Sequence, residues 1–347
     1  MLLAELTGKY KCIAIIGMEK NAGKTTVLNH LLDSASDKVT ALTSIGYDGE
    51  QTDQVTNTSK PAIYVSCGTL IATADSLLNY CDITREILKM TSIHTSIGEI
   101  VILRALSDGY VRIAGPSITS QMDKVIEMFK NYNAEKIFID GAAARKSTAA
   151  INAADACILA TGASFSSSID NIARQTAFYA ELLNLPSVFN HEINKVFTSN
   201  YQQEQSTNMC YALKGNNSIF SLGSSLATDS ADQAANLDNI SALIFTGALT
   251  ARFARRFLEK TRRLKDLELI VKDGTRILLN SDQYKEFKRR GAKFSVLKPA
   301  NLVAITTNPQ APSGFQVDSV KLKNHIKQKT GLPVFDVIAD KAQGVEH

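Results

Sequence analysis

A lysine and two threonines, Lys24-Thr25-Thr26, follow Gly23, and a second glycine, Gly17, closes the apolar run Cys12-Ile-Ala-Ile-Ile16 just upstream. Those residue types in that order suit phosphate. A helix starting at Lys24 leaves its first-turn amides without intrahelical partners, and its dipole favours negative charge at that end. Gly17 and Gly23 admit backbone angles and a close approach that a Cβ would block. Lys24 would reach the terminal phosphates of a nucleotide, and the Thr25 hydroxyl would sit on Mg2+. Asn21, Ala22 and Thr26 complete the expected cradle. Lys20 reads as a solvated loop lysine.

Phosphate binding alone is not hydrolysis, which also needs a metal site and a positioned water. Ile137-Phe-Ile-Asp140-Gly141 is a short apolar run ending in a carboxylate, the place from which Asp140 would hold Mg2+. Asp48 ends another such run, Val39–Ile45 followed by Gly46-Tyr47, and would orient the metal or the attacking water; Glu50 and Asp53 are alternatives. A polar, glycine-flanked turn explains Asp48 equally well. Asn308 ends the run Leu302–Thr307 and reads either as a base contact or as an Asn-Pro turn.

The elements that must position these residues follow from periodicity. Strands are expected at 11–16, 39–45, 62–65, 136–140 and 156–160, with helices at 24–35, 119–131 and 168–184. A helix is also expected over 75–90, from Leu77, Leu78, Ile83, Ile87 and Leu88. A hairpin is expected around Asp108-Gly109, between 99–106 and 110–114. Later strands fall at 268–271, 293–297, 302–306 and 333–337, with helices near 281–290 and 317–328. The fold class is α/β: a mostly parallel sheet covered by helices on both faces, plus a second C-terminal α/β unit. Strand ends at Gly17, Asp48, Asp140 and Thr161-Gly162 then converge on one edge of the sheet. The expected organisation is a nucleotide-binding domain over 1–195, a polar linker or insert over 196–236, and a C-terminal domain over 237–347.

Composition excludes several classes. The chain has 347 residues, 44% hydrophobic and 21% charged, with a net charge of +4. Nothing in that balance points to nucleic acid, and no apolar run approaches the ~20 residues a membrane span needs. Five cysteines at irregular spacing support neither a disulfide framework nor a zinc site, and fit a cytoplasmic protein. The isolated histidines lack metal-ligand spacing, and the serines at 164 and 166–168 lack a hydrolase elbow. The arginines of 252–263 read as a solvated face or as a partner surface.

Five residues separate Gly17 from Gly23, one more than the common phosphate loop has. In this the loop resembles the P-loop class that contains dethiobiotin synthetase and the nitrogenase iron protein, whose second loop lysine stands one position earlier than Lys20. Asn308 looks like the strand-end asparagine that contacts adenine in dethiobiotin synthetase. More narrowly, Gly17–Thr26, Thr43-Ser-Ile-Gly-Tyr-Asp-Gly-Glu50, Asp140-Gly-Ala-Ala-Ala-Arg145 and Asp155–Ser164 resemble a reactivating-factor subunit of cobalamin-dependent lysine aminomutase. The resemblance implies an ATPase using ATP and Mg2+ to open a mutase client and release damaged cobalamin, the cobalamin staying with the mutase. Residues 46–60 would be its switch segment. Members of the class often act as dimers, so a homodimer or hetero-oligomer is expected. The alternative is an ATP-dependent small-molecule ligase or kinase-like enzyme resembling dethiobiotin synthetase.

Overall fold

Buried aliphatic runs build the strands of the computed structural model, which describes residues 2–46, 62–143, 148–202, 208–215, 218–262 and 264–344. The chain begins with α1 (Leu3–Thr7), β1 (Cys12–Gly17), α2 (Lys24–Ser34), β2 (Thr40–Ser44), β3 (Ile63–Val65), β4 (Leu70–Ala74), β5 (Arg85–Thr95), β6 (Gly98–Ala105) and β7 (Gly109–Val111). It continues through α3 (Thr119–Asn131), β8 (Lys136–Ala143), α4 (Thr148–Ala153), β9 (Ala156–Gly162), α5 (Ile169–Leu183), α6 (His191–Gln202), β10 (Met209–Lys214), β11 (Ile219–Ser224) and α7 (Thr228–Ala235). The last part comprises β12 (Ile240–Phe245), β13 (Leu249–Thr250), α8 (Ala251–Lys260), β14 (Glu268–Val271), β15 (Ile277–Leu278), α9 (Ser281–Arg289), β16 (Lys293–Val296), β17 (Leu302–Asn308), α10 (Ser319–Thr330), β18 (Val334–Phe335) and α11 (Val337–Gly344).

Two units divide the chain. Met1–Ala180 and Ala300–His347 form one, and Glu181–Pro299 the other. The first holds a nine-stranded sheet in the order β18-β17-β9-β1-β8-β2-β4-β6-β5. Every pairing from β18 to β4 is parallel, and β6 and β5 add an antiparallel edge. β1, β2 and β9 are buried at every position, as parallel strands covered on both faces must be. Ile13 and Ile15 of β1 pack with Val27, Leu28 and Leu31 of α2 and with Phe138 of β8 in one core cluster.

Several expectations change here. Leu302–Asn308 pairs with β9, so residues 300–347 group with 1–180 and not with 237–299. An apolar run identical in character to those of the second unit carries no mark of the sheet it joins. The polar stretch 196–236 contains the end of α6 and all of β10, β11 and α7 among its described residues. Residues 75–90 do not form one helix: a 3-10 turn covers Asp75–Tyr80 and β5 follows. The β-branched Ile87, Thr91, Ile93 and Thr95 favour the pleated edge over a helix. The hairpin at Asp108-Gly109 is also absent. β6 pairs with β4 and β5, whereas β7 pairs with β3. Asp108 accepts from the Cys67 amide at 2.7 Å and Ser107 Oγ from the Thr84 amide at 2.9 Å, which leads the chain away from β6.

The second unit is a five-stranded sheet, β11-β10-β12-β14-β16, parallel from β12 to β16. Phe253 and Phe257 of α8 are buried and continue a ladder of rings from Phe245 to Phe287 and Phe294. Arg252 and Arg255 on the same helix are exposed, while Arg256 makes a two-point ion pair with Asp232 at 2.6 and 3.0 Å.

Candidate functional site

Five parallel strands end side by side on one edge of the larger sheet, in the order β17, β9, β1, β8, β2. Register aligns their carboxyl-terminal parts: Asn308 pairs with Gly162, Gly17 with Ala160, Ile15 with Asp140, and Ser44 with Asp140. Carboxyl ends of parallel strands are where open α/β sheets bind ligands. α2 follows β1 toward β2, and α4 leads from β8 across to β9, so the connections diverge around β1.

The loop after β1 is shaped for an anion. Asn21 and Gly23 both hold positive φ, +60° and +92°, and alternation of that kind turns successive amides inward as an anion nest. Gly23 is the N-cap of α2, and no side chain caps that end. Position 21 is an asparagine. Asparagine is among the few side chains that adopt the left-handed region readily. Lys24 folds back across the loop. A Cβ built on Gly17 would lie 3.1 Å from Lys24 Cγ and Cδ and 3.1 Å from the Glu19 carbonyl, so Gly17 is the surface on which the lysine stem rests. Ala22 is buried, and Gly23, Lys24, Thr25 and Thr26 are half-buried. Partial burial lifts the Glu19 carboxyl above the usual carboxylate range.

Asp140 stands on the strand adjacent to β1. Phe138, two residues earlier, packs on the α2 side of the sheet, and strand alternation puts Asp140 on that same face. Its Oδ1 is shielded from solvent. A Cβ on Gly141 would meet the Ile15 carbonyl at 2.7 Å, so glycine permits the tight approach of β8 to β1 just past the aspartate. Among the described residues, no three or more His, Cys, Asp or Glu side chains group to hold a metal. A threonine hydroxyl and an aspartate carboxylate, as at Thr25 and Asp140, are oxygen ligands of the type that Mg2+ takes, together with waters and phosphate oxygens. Asp48, Glu50 and Asp53, with residues 47–60 of the expected switch, lie outside the described residues.

Sequence reasoning passed over one support and named a second, Asn308, only as a base contact or an Asn-Pro turn. Thr176 of α5 is wholly buried and donates to the Met18 sulfur at 3.2 Å, with Thr161 Oγ1 at 3.1 Å; the Met18 amide donates to the Ala160 carbonyl at 2.9 Å. Asn308 is the other. Its Nδ2 donates to the Asn21 carbonyl at 3.3 Å and its Oδ1 accepts from the Gln310 amide at 3.1 Å. Nothing local marks either contact, since each joins residues more than 150 positions apart.

A cavity of about 1030 Å³ lies elsewhere, along α2 near the amino ends of β2, β4 and β8, between Asn29, Asp33, Thr40, Tyr64, Thr69 and Glu135. Apart from Thr26 it shares no residue with the loop. Among the described residues no helix is long and apolar enough to cross a membrane. Among the described residues no disulfide joins the cysteines, and burial pushes the Cys157 and Cys210 thiols far up. No protein-family model, curated protein or solved structure matches the chain.

Proposed function

We propose that residues 17–26 form a P-loop that binds ATP with Mg2+, and that the chain hydrolyses ATP to drive a conformational change in a protein client. The observation that carries the reading is the Lys24 stem lying on Gly17 beside an uncapped helix start, with positive φ at Asn21 and Gly23. A turn with a chance Gly-Lys-Thr has no reason to combine all three. Lys24 and the first amides of α2 hold the phosphates. The Thr25 hydroxyl and Asp140 hold the metal. Mg2+, when bound, neutralises charge developing on the phosphoryl oxygens. Gly17, by leaving room for the lysine stem, keeps the ammonium end directed along the loop.

The client is the finer part of the proposal. The phrases at 17–26, 43–50, 140–145 and 155–164 resemble the reactivating-factor subunit, which makes a cobalamin-dependent aminomutase the client to test first. Phosphate release from MgATP and MgGTP is measured for the intact protein and for Lys24→Ala, with and without such a mutase. Turnover that the mutase raises and the substitution abolishes, with thermal unfolding unchanged, supports both parts. Turnover raised instead by a small carboxylate or amine supports the ligase-like or kinase-like enzyme. ATP affinity unchanged in Lys24→Ala refutes the P-loop assignment.

A further inference from the structure

We infer that Asn308 is a positioning residue for the phosphate loop: it holds Asn21 in the left-handed conformation that turns the loop amides toward the anion, and it does not read the base. The inference rests on the P-loop reading above. Each end of the Asn308 amide already has a partner within the protein. The Asn21 carbonyl needs a donor and the Gln310 amide needs an acceptor, so only one orientation of the side chain satisfies both. A Cβ on Gly23 would touch Asn308 Cβ at 3.4 Å. The side chain is thus seated against the two loop positions whose φ is positive.

The Asn308 backbone is pinned as well. Its carbonyl accepts from the Ala163 amide at 2.9 Å. A Cβ on Gly162 would fall 2.0 Å from that oxygen, so only glycine at 162 lets β17 approach this closely. The brace therefore has a rigid base, the β9–β17 pairing, and a target of functional consequence, the carbonyl of a left-handed residue in the loop. Non-glycine residues in that region are held there by their surroundings. Without the brace the loop samples other conformations, and binding must restore order first.

Calorimetric affinities for Mg-tripolyphosphate, MgATP and MgGTP separate the roles, measured on the intact protein, Asn308→Ala and Asn308→Ser, with thermal midpoints recorded alongside. Loss of one neutral hydrogen bond in the brace should weaken all three ligands alike, by about three- to tenfold, with little change in midpoint. Weakened ATP with unchanged tripolyphosphate would make Asn308 a base contact and overturn the inference. Unchanged affinity for every ligand in a folded variant would overturn it too. An intact protein that binds neither tripolyphosphate nor nucleotide would instead remove the P-loop reading, and the brace with it. If Asn308→Ala does not fold, the serine variant, which keeps a polar group at the turn, is read against the same outcomes; failure of both to fold makes Asn308 a structural residue and overturns the positioning role.

Discussion

Gly17→Ala tests the lysine placement with a single methyl group. Gly17 is not among the positive-φ glycines, so alanine fits its backbone without strain. The added carbon would stand 3.1 Å from two atoms of the Lys24 stem and 3.1 Å from the Glu19 carbonyl, so the loop backbone must also give by a few tenths of an ångström. Favourable carbon–carbon separations begin near ~3.5 Å, so the stem must retreat by about half an ångström. A flexible stem does this cheaply, and the fold should lose under about 1 kcal/mol, within the range of ordinary substitutions. The ammonium at the end of that stem moves with it. A misplacement of about 1 Å at a reacting centre can cost about a hundredfold in rate, so half that shift corresponds to about tenfold. Losing half of a charged hydrogen bond of about 1.5–3 kcal/mol gives a similar factor.

The assay pairs MgATP calorimetry and phosphate release with thermal unfolding. Gly17→Ala should bind and turn over about tenfold more weakly while its midpoint stays within about 2 °C of the parent. Gly23→Ala is the contrast. Its φ of +92° costs an alanine about 1–2 kcal/mol, so midpoint and affinity should fall together. Unaltered affinity and turnover in Gly17→Ala would mean that the lysine stem on Gly17 is incidental, and the geometric support for the phosphate reading would go.

Two further substitutions probe the scaffold. Lys136 is buried and donates from Nζ to the carbonyls of Thr7, Gly8 and Tyr10; Lys136→Met should cost about 2 kcal/mol, read as a lower urea midpoint, and a neutral result would mean that those carbonyls find other donors. Hydrogen bonds from Arg289 and then Arg290 hold the Glu286 carboxyl down to about 2, from an ordinary 4.5. A carboxylate depressed in the folded state stabilises above its unfolded pKa, and the effect fades as pH falls from 4.5 through about 2. The difference in urea midpoint between the parent and Glu286→Gln should therefore be full at neutral pH and shrink across that window. A difference that stays constant down to its lower end would contradict the pairing.

What could be read from the sequence was local. β1, the loop and α2 are contiguous, and their signals of apolar run, glycines and helical spacing lie within one stretch, so Gly17, Gly23 and Lys24 could be named together. α3 matches its expected span because Met122, Val125, Ile126 and Phe129 repeat at helical spacing and are all buried. The edge strand β5 was illegible for the opposite reason. Its exposed Ile87 and Met90 blur the alternation that marks a half-buried strand, and Leu77, Leu78, Ile87 and Leu88 fall by chance at helical intervals. Sheet membership was illegible in principle. β17 and β16 are both short buried runs, and only long-range pairing assigns one to β9 and the other to β14.

Asn21 joins the legible and illegible parts of the site. A glycine there would adopt positive φ at no steric cost, yet it would leave the free loop with more conformations to lose on binding. Asparagine narrows that ensemble and, although it enters the left-handed region more readily than most side chains, is held there by its surroundings. The support comes from Asn308, 287 positions later in the chain. An asparagine at this left-handed position is therefore answered by a contact from β17, two strands from β1 in the sheet, and the two are best understood as one device. The same logic accounts for Gly162, which has no role in the loop sequence but permits the strand approach that brings Asn308 to Asn21.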